Sequence, residues 1–340
     1  MDNRLDIAVV GATGVVGAAM LDILSERNFP VRNIYPLASR RSAGTRVQFN
    51  GREEAVEVLE DFDFSRAQIA LFSAGAGVSE AYAPIAGKAG CVVVDNSSQF
   101  RYDKDIPLVV TEVNPARVAD YRNRHIIANP NCSTIQLVVA LKPIYDAVGI
   151  ERINIATYQA VSGTGKEAVD ELAEQTAALL NGKPATAKVY PRQIAFNVVP
   201  HCDIFLENGY TKEEMKIVWE TRKILGDDRI LVNPTAARVP VFYGHSEAVH
   251  LETREKITAE AARALLSKAP GVTVLDERTD GGYPTAVSDS AGTDPVFVGR
   301  IREDISHPRG LDFWVVADNV RKGAALNSVQ IAEILVKDYL

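Results

Sequence analysis

The sequence predicts an α/β protein of two domains, in which a parallel-sheet domain is followed by a mixed α/β domain. In residues 5–130 short apolar runs alternate with helical patterns, and the first run is followed at once by closely spaced glycines. From about residue 151 the pattern changes to longer alternating strands with fewer helical crossovers. Strands that alternate with helices of this length form parallel sheets. A chain of 340 residues is long enough for two cores of ordinary size.

The glycines lie between the first predicted strand, residues 5–10, and a predicted helix over residues 18–24. They form the segment Gly11-Ala12-Thr13-Gly14-Val15-Val16-Gly17. Glycines such as Gly11 and Gly14 allow a tight turn and a close approach of the backbone to a pyrophosphate, which then rests on the helix N-terminus. Glycines also occur in ordinary turns, but their position directly after the first strand predicts a Rossmann-type dinucleotide-binding domain.

The end of the second predicted strand, residues 34–38, indicates which dinucleotide is bound. Enzymes that use NAD usually carry an Asp or Glu there, which binds the ribose 2′-hydroxyl. This chain instead has Ser39-Arg40-Arg41-Ser42. Arginine pairs with phosphate through a planar set of donors, and serine adds neutral hydrogen bonds. The alternative is a solvated basic turn, but we predict NADP, with Ser39, Arg41 and Ser42 as contacts.

Three more strands are predicted in the first domain, over residues 68–72, 91–95 and 107–110. The loop after the first of these, Ser73-Ala74-Gly75-Ala76-Gly77, is expected to lie under the cofactor, with Ser73 and Gly75 as contacts, and a helix follows over residues 78–88. Ligands bind at the carboxyl ends of parallel strands. Arg101 follows such an end, although a lone arginine in a loop is usually a solvated side chain.

A cysteine between a strand and a helix is the strongest candidate for covalent chemistry. Residues 125–128 are predicted as a strand end and residues 135–144 as a buried helix, and between them lies Asn129-Pro130-Asn131-Cys132-Ser133-Thr134. N–H groups converge at a helix N-terminus, where they lower the pKa of a thiol and offer donors to an oxyanion. A buried, inert cysteine is the alternative, but the surrounding motif favours Cys132 as a nucleophile.

In the second domain, a predicted strand over residues 152–161 ends in a segment rich in glycine and serine. This segment, Ser162-Gly163-Thr164-Gly165-Lys166, either contacts a ligand through its backbone or forms a simple turn, and a helix follows over residues 167–180. Near the other end of the domain, residues 312–319 are predicted as a strand. A last helix is predicted over residues 322–339, where apolar residues recur at helical spacing.

Two further sites in the second domain carry charged or titratable side chains. Thr211 followed by Glu214 is a capping-box pattern that predicts a helix start. Glu213 and Lys216 share a face of that helix, where a surface ion pair is the plain interpretation. His245 begins a strand after a glycine and is expected to be free to carry protons.

The composition excludes several classes of function. A net charge of −7 argues against a general nucleic-acid-binding protein. The N-terminus lacks the pattern of a signal peptide, and no apolar segment reaches membrane-spanning length. The three cysteines, Cys91, Cys132 and Cys202, suit a reducing compartment, and no grouping has metal-ligand spacing. We therefore expect a cytoplasmic protein with no metal, no membrane contact and no nucleic-acid partner.

Taken together, the segments resemble the aspartate-semialdehyde dehydrogenases essentially from end to end. The glycine segment and the Cys132 motif carry the resemblance together with five further motifs. These are Asn96-Ser97-Ser98-Gln99-Phe100-Arg101, Tyr158-Gln159-Ala160-Val161-Ser162-Gly163, Glu213-Glu214-Met215-Lys216, Arg238-Val239-Pro240-Val241 leading to His245, and Asp318-Asn319. Single motifs are not specific, whereas the ordered combination is, and no position required by the family's chemistry departs from its pattern.

The resemblance implies a role for each candidate residue. Cys132 is the nucleophile that carries a thioester, His245 is the general acid/base, and Asn131 supports the cysteine pocket. The substrate-binding residues are Gln159, which orients the substrate, Arg238 for its α-carboxylate, Glu213 for its ammonium group, and Arg101 and Lys216 for phosphate. The implied contacts of NADP are Thr13, Gly14, Val15, Val16, Arg41, Ser42, Ser162, Gly163 and Asn319.

The implied reaction converts aspartate 4-semialdehyde, phosphate and NADP+ to 4-aspartyl phosphate and NADPH, and runs in reverse in the biosynthesis of lysine, methionine and threonine. It needs a soft nucleophile, a base that works near neutral pH, and cations for carboxylate and phosphate. The implied architecture is a Rossmann domain of residues 1–130, completed by a helix over 320–340, with residues 131–319 as a catalytic domain that also forms the interface of a homodimer.

Three other functions share parts of this pattern. An N-acetylglutamyl-phosphate reductase has similar chemistry and layout, but its acetylated substrate offers no cation to Glu213. A glyceraldehyde-phosphate dehydrogenase would be expected to carry an acidic residue after the second strand. A non-catalytic dinucleotide-binding protein, such as a sensor or scaffold, would need none of Cys132, Gln159, Arg238 and His245.

Overall fold

The computed structural model describes residues 4–340, and the chain divides into two compact units. Unit 1 consists of Met1–Asn131 and Ala324–Leu340, and unit 2 of Cys132–Gly323. Across the described part of the chain, no helix is both long enough and apolar enough to cross a membrane.

The elements are numbered in chain order over residues 4–340. The strands are β1 (Leu5–Val10), β2 (Val31–Ala38), β3 (Arg46–Phe49), β4 (Arg52–Ala55), β5 (Glu57–Val58), β6 (Ile69–Phe72), β7 (Val92–Asp95), β8 (Ile126–Ala128), β9 (Ile150–Gln159), β10 (Leu231–Arg238), β11 (His245–Thr253), β12 (Val272–Val274), β13 (Val296–Glu303) and β14 (Gly310–Ala317). The α-helices are α1 (Val15–Glu26), α2 (Ala76–Lys88), α3 (Cys132–Val148), α4 (Lys166–Leu180), α5 (Lys212–Leu225), α6 (Ala259–Leu266) and α7 (Leu326–Asp338).

Unit 1 contains a parallel sheet with the strand order β5-β2-β1-β6-β7-β8. Its apolar face packs against α1 and α7, with Ile7, Leu71, Met20 and Leu326 among the buried side chains. The strand order reverses at β1, which pairs with β2 on one side and β6 on the other. Ligands bind at such a switch point, outside the carboxyl ends of the strands. The predicted Rossmann-type parallel sheet is confirmed.

Unit 2 contains a mixed sheet with the order β10-β9-β11-β14-β13-β12. β9 runs parallel to β10 and antiparallel to β11, and β14 runs antiparallel to both β11 and β13. The helices α3, α5 and α6 contact this sheet, and alternate residues of β9 and β11 are buried beneath them. The predicted change to a mixed α/β architecture is confirmed.

One predicted strand, residues 107–110, is wrong. Leu108 forms a single bridge with Ala128, and no ladder extends from it. The neighbouring backbone groups bond to side chains instead: the Val110 N–H donates to Asn114 Oδ1, and the Val109 carbonyl accepts from Asn327 Nδ2. The apolar run predicted burial correctly, but side-chain amides took the place of a strand partner.

The last helix starts later than predicted. α7 begins at Leu326, and the preceding Arg321–Ala325 forms a π-helical turn. The carboxylate of Asp318 accepts the N–H groups of Val320 and Arg321, so Asp318 caps this turn. A helical apolar pattern does not distinguish a π turn from the first turn of an α-helix.

Asp227 forms hydrogen bonds with side chains from several segments of unit 2, so its substitution tests the stability of that unit. Its buried carboxylate accepts hydrogen bonds from Arg229, Arg254 and Tyr145. These bonds, that of Arg229 foremost, hold the pKa of Asp227 well below its usual value despite burial. A lowered pKa stabilises the fold at neutral pH, and this contribution is lost as the pH falls through the carboxyl's range.

We expect Asp227→Asn to lower the free energy of unfolding at pH 7 by roughly 1–3 kcal/mol. The stability of the variant should also fall less steeply than that of the wild type on acidification. Denaturant unfolding at several pH values measures both effects. Asp228→Asn, at the exposed neighbouring position, is the control. Equal stability of the two variants would contradict the prediction.

Candidate active site

Cys132 is the first residue of α3, directly after the turn that follows β8. Its Sγ lies 3.3 Å from Nε2 of His245, the first residue of β11. Gly244, with φ of 91°, turns the chain into β11, and an added Cβ there would lie 2.8 Å from a backbone carbonyl oxygen. Sulfur and imidazole are thus within contact distance at the start of a helix, as nucleophilic chemistry requires.

His245 begins a strand, as the sequence predicts, and it is fully buried. Burial foremost, together with the Arg238 guanidinium, lowers the pKa of His245 to about 3, although Glu213 acts in the opposite direction. The side chain is therefore neutral at pH 7. Strand β11 contacts α3, and His245 lies on the face of this strand whose odd-numbered residues are all buried.

Gln159 and Glu213 meet beside this pair. Gln159 is the last residue of β9, and its Nε2 lies 3.2 Å from Glu213 Oε1 and 3.1 Å from Ser133 Oγ. Glu213 Oε2 accepts from Lys216 Nζ at 2.9 Å, and Lys216 also bonds to Asp203 at 2.8 Å. Burial opposes the charge on Lys216, but Glu213 and Asp203 raise its pKa above the usual value. The pair is therefore a largely buried network, not a surface ion pair.

Arg238 ends β10 and is paired in register with Gln159 of β9. Its Nη1 donates to the carbonyl oxygen of Ala160 at 2.8 Å, whereas its Nε is buried and has no hydrogen-bond partner. No carboxylate within residues 4–340 forms an ion pair with it. A buried guanidinium without a counter-ion is costly unless an anion binds there. Arg238 is accordingly suited to bind a carboxylate.

The glycine segment of unit 1 forms the turn that the sequence predicts. Gly11 has φ of 84°, and a Cβ there would lie 3.0 Å from the backbone of Ser73. A Cβ on Gly17 would lie 2.1 Å from the Gly11 carbonyl oxygen, so helix α1 could not pack here with any side chain. Thr13 and Gly14 are exposed at the N-terminus of α1. The cradle left by these glycines fits a dinucleotide pyrophosphate.

The two adjacent arginines after β2 differ in their surroundings. Arg40 is bound to Asp61 at 2.7 Å and lies 3.5 Å from Glu60, whereas Arg41 is exposed and has no acidic partner in the described chain. A cavity of about 480 Å³ in unit 1 is lined by Thr13, Ser42 and other residues. Ser39 is exposed, Ser73 Oγ bonds to the Val10 carbonyl, and Gly75 precedes α2 with φ of 92°.

Other residues predicted to contact the substrate or the cofactor form hydrogen bonds within their own unit. Asn319 Oδ1 accepts from the Gly244 N–H at 2.9 Å, and its Nδ2 lies 3.0 Å from Ser162 Oγ, so Asn319 joins the segments before His245 and after β9. In unit 1, Arg101 donates to the carbonyl oxygens of Asn96 and Asn129. Asn131 is buried directly before Cys132, and Val15 and Val16 open α1.

Comparisons with known proteins agree with this geometry. "Semialdehyde dehydrogenase, NAD binding domain" matches residues 6–121, and "Semialdehyde dehydrogenase, dimerisation domain" matches residues 141–322. The aspartate-semialdehyde dehydrogenase of Shewanella violacea is 64% identical over 339 residues, which cover 100% of both chains. The chain belongs to the aspartate-semialdehyde dehydrogenase family, a family of oxidoreductases.

Solved structures of aspartate-semialdehyde dehydrogenases have the same fold. Aspartate semialdehyde dehydrogenase II of Vibrio cholerae, complexed with ASA, is 59% identical and superposes with a TM-score of 0.97 over 99% of both chains. A more distant structure, the enzyme of Candida albicans with NADP, is 26% identical and has a TM-score of 0.74 over 98% of both chains.

Four residues that contact the predicted site were missed by the sequence analysis. Ser133 and Thr157 flank the Gln159 amide, Asp203 bonds to Lys216, and the backbone N–H of Ala160 donates to His245 Nδ1. Thr157 could have been found, because it lies two residues before Gln159 on the same face of a strand. Asp203 lies in an irregular segment, and no periodic signal marks it.

Gly163 tests how tightly the candidate active site is packed. A Cβ on Gly163 would lie 2.9 Å from Arg238 Nη1 and 3.3 Å from His245 Nε2. Gly163→Ala should therefore displace both side chains and lower kcat/KM by roughly 10²-fold. Steady-state kinetics measures the loss, and thermal unfolding shows whether the fold is retained. Unchanged kcat/KM in a folded variant would contradict the prediction.

Proposed function

We propose that this protein catalyses the NADP-dependent, phosphorylating oxidation of aspartate 4-semialdehyde to 4-aspartyl phosphate, and the reverse reaction in amino-acid biosynthesis. The observation that carries the proposal is the contact of Cys132 and His245 beside a buried arginine without a counter-ion. The similarity to known aspartate-semialdehyde dehydrogenases supports the same substrate.

The residues around Cys132 match the groups of this substrate. The Arg238 guanidinium is suited to the α-carboxylate, which would satisfy its buried Nε. Glu213 is suited to the ammonium group, with Gln159 and Lys216 fixing its two oxygens. An acetylated substrate would leave the Glu213 carboxylate without a cation. Aspartate semialdehyde is thus favoured over N-acetylglutamate semialdehyde.

Cys132 supplies the covalent step. Its sulfur attacks the aldehyde carbon, and loss of hydride from the resulting adduct leaves a thioester on Cys132. Bound NADP+ supplies the hydride acceptor for this oxidation. Phosphate then attacks the thioester and releases the thiolate, with Arg101 and Lys216 proposed as phosphate ligands and Asn131 as support for the cysteine. The same steps in reverse reduce aspartyl phosphate to the semialdehyde.

Unit 1 is proposed as the NADP-binding part and unit 2 as the catalytic and dimerisation part. The turn at Gly11, Thr13 to Val16, and the exposed Arg41 with Ser42 suit pyrophosphate and 2′-phosphate, and Ser39, Ser73 and Gly75 are further proposed contacts. Ser162, Gly163 and Asn319 are also proposed as cofactor contacts. A homodimer is supported by the half-buried side of the mixed sheet, where the Tyr158 and Trp314 rings lie 5.6 Å apart. Cys91, Cys132 and Cys202 are in the thiol form, which suits the cytoplasm.

The test is reduction of NADP+ by purified protein with aspartate semialdehyde, with and without phosphate. N-acetylglutamate semialdehyde is the matched competing substrate. We expect phosphate-dependent turnover that strongly favours the aspartyl substrate. Preference for the acetylated substrate would overturn the assignment of Glu213, and no turnover by protein that binds NADP would favour a non-catalytic role.

A pair of arginine variants tests the preference for NADP over NAD. Arg41→Ala should raise KM for NADP+ by roughly 10-fold or more and leave KM for NAD+ unchanged, because only NADP+ carries the 2′-phosphate. Arg40→Ala is the control, since Arg40 is already paired with Asp61. Equal effects of the two substitutions would show that charge near the site, not a specific contact, determines the preference.

A further inference from the structure

Three asparagines of unit 1 form a network of hydrogen bonds between the C-terminal helix and the segment before Arg101. Asn327 lies in the first turn of α7, Asn129 directly follows β8, and Asn96 directly follows β7. Asn327 Nδ2 donates to Asn129 Oδ1 at 2.6 Å, and Asn129 Nδ2 donates to Asn96 Oδ1 at 2.7 Å. Asn327 and Asn129 are fully buried, although they are 198 positions apart in the chain.

The direction of each amide in this asparagine network is set by backbone groups. Asn327 Nδ2 also donates to the Val109 carbonyl oxygen at 2.9 Å, and Asn327 Oδ1 accepts the Thr111 N–H at 3.3 Å. A carbonyl can only accept and an N–H can only donate, so the Asn327 amide cannot be reversed. Its second N–H therefore requires the oxygen of Asn129, which turns the Asn129 nitrogen toward Asn96. Reversal of either amide would leave buried donors and acceptors unsatisfied.

The asparagine network leads to Arg101, which is itself buried. Arg101 Nε donates to the Asn129 carbonyl oxygen at 2.9 Å, and Arg101 Nη2 donates to the Asn96 carbonyl oxygen at 2.9 Å. Nε and Nη2 form one edge of the planar guanidinium, so these two bonds fix the plane and the direction of the whole group. The two residues whose side chains form the network thus hold Arg101 through their backbones.

The side-chain bond between Asn129 and Asn96 sets the spacing of the two carbonyls that hold Arg101. β7 and β8 pair as far as Asp95 and Ala128, so Asn96 and Asn129 each lie one residue beyond the last pair of this ladder. The Asn129 N–H still donates to the Asp95 carbonyl, and the carbonyls of Asn129 and Asn96 are turned to Arg101 instead. The amide network therefore continues the connection between the two segments where the sheet ends.

We propose that Asn327 and Asn129 are positioning residues for phosphate, on which they act by holding the Arg101 guanidinium in a fixed direction. This inference rests on the proposed function, in which Arg101 is a phosphate ligand. Arginine binds phosphate through two parallel hydrogen bonds, a geometry that requires a definite guanidinium plane. An arginine that is fixed before phosphate arrives also loses less side-chain entropy on binding.

The test is the steady-state kinetics of full-length Asn327→Ala, with NADP+, aspartate semialdehyde and phosphate each varied in turn. We expect KM for phosphate to rise by roughly 10-fold, whereas KM for the semialdehyde and for NADP+ should change by less than about 2-fold. Gln330→Ala is the matched control and should leave all three values unchanged, because this amide of α7 bonds to Thr111 and Glu112. Equal rises of all three KM values in Asn327→Ala would show a general role in the fold and overturn the proposal.

The half-reaction without phosphate gives a second readout. Enzyme mixed with NADP+ and aspartate semialdehyde alone should produce a burst of NADPH as the thioester forms on Cys132. The rate and size of this burst should be the same in Asn327→Ala as in the wild type, because phosphate enters only after hydride transfer. A slower or smaller burst would mean that Asn327 supports an earlier step, and the proposal would be overturned.

A double-substitution cycle tests whether the network acts through Arg101. In protein that carries Arg101→Ala, the further change Asn327→Ala should not lower kcat/KM for phosphate any more, whereas additive losses would overturn the proposal. Thermal unfolding shows whether each variant retains its fold. Asn96→Ala tests the other end of the network if Asn327→Ala does not fold, since it removes Oδ1 but keeps the carbonyl that holds Arg101. The same rise in KM for phosphate is expected there, and an unchanged value would contradict the proposal.

The results distinguish this inference from the proposed function. If the wild type turns over aspartate semialdehyde with phosphate and folded Asn327→Ala has the same KM for phosphate, this inference alone fails. If the wild type shows no phosphate-dependent turnover, the proposed function fails, and the positioning role fails with it.

Discussion

Cys132→Ser is expected to abolish aldehyde oxidation, with kcat lower by at least about 10³-fold, because the serine hydroxyl is far less acidic and less nucleophilic than a thiol. Affinity for NADP and the unfolding midpoint should stay close to those of the wild type, because the two side chains differ by one atom. Steady-state kinetics, cofactor titration and thermal unfolding measure these three quantities.

The other cysteines provide the control for thiol chemistry. Burial raises the pKa of Cys91 to about 12 and that of Cys202 to about 11. Limiting iodoacetamide at pH 7 should therefore modify Cys132 first, and this fast phase should be absent from Cys132→Ser. Cys91→Ala should keep both the fast phase and the activity. Retention of most of the activity in Cys132→Ser would rule out a thioester mechanism.

Glu213→Gln has the second largest expected effect, because it removes the negative charge proposed to hold the substrate ammonium group. A charged hydrogen bond in a buried site is worth about 1.5–3 kcal/mol, so kcat/KM for aspartate semialdehyde should fall by about 10- to 150-fold. Gln preserves the shape of the side chain and a hydrogen bond with Gln159. The loss should therefore arise in substrate binding and not in the fold.

The control for Glu213 is a change in the substrate. Succinate semialdehyde has the same carbon chain without the ammonium group, so Glu213→Gln should change its kcat/KM by only about 3-fold or less. The two proteins and two substrates form a cycle that isolates the contact of Glu213 with nitrogen. If both substrates lose activity equally, Glu213 acts by holding Lys216 and Gln159 in place, and the ammonium assignment would be withdrawn.

Predictions from local patterns were confirmed where one segment determines its own structure. The capping box of Thr211 and Glu214 is present at the start of α5, with both of its hydrogen bonds. The buried helix after Cys132 and the strand before the glycine turn also follow from their apolar runs. The prediction of a strand over residues 107–110 was wrong because a strand needs a partner elsewhere in the chain. The apolar run indicates that the segment is buried, but it does not indicate what its backbone groups bond to.

The fold class, the glycine turn and the place of Cys132 at a helix start were determined by the sequence alone, because they depend on spacing within a few residues. The contact of Cys132 with His245 spans 113 residues, that of Ala160 with His245 spans 85, and that of Gln159 with Glu213 spans 54. Only the tertiary structure decided these contacts. They arise where β9, β10 and β11 end or begin side by side at the start of α3, and no local pattern encodes which side chains the sheet brings together there.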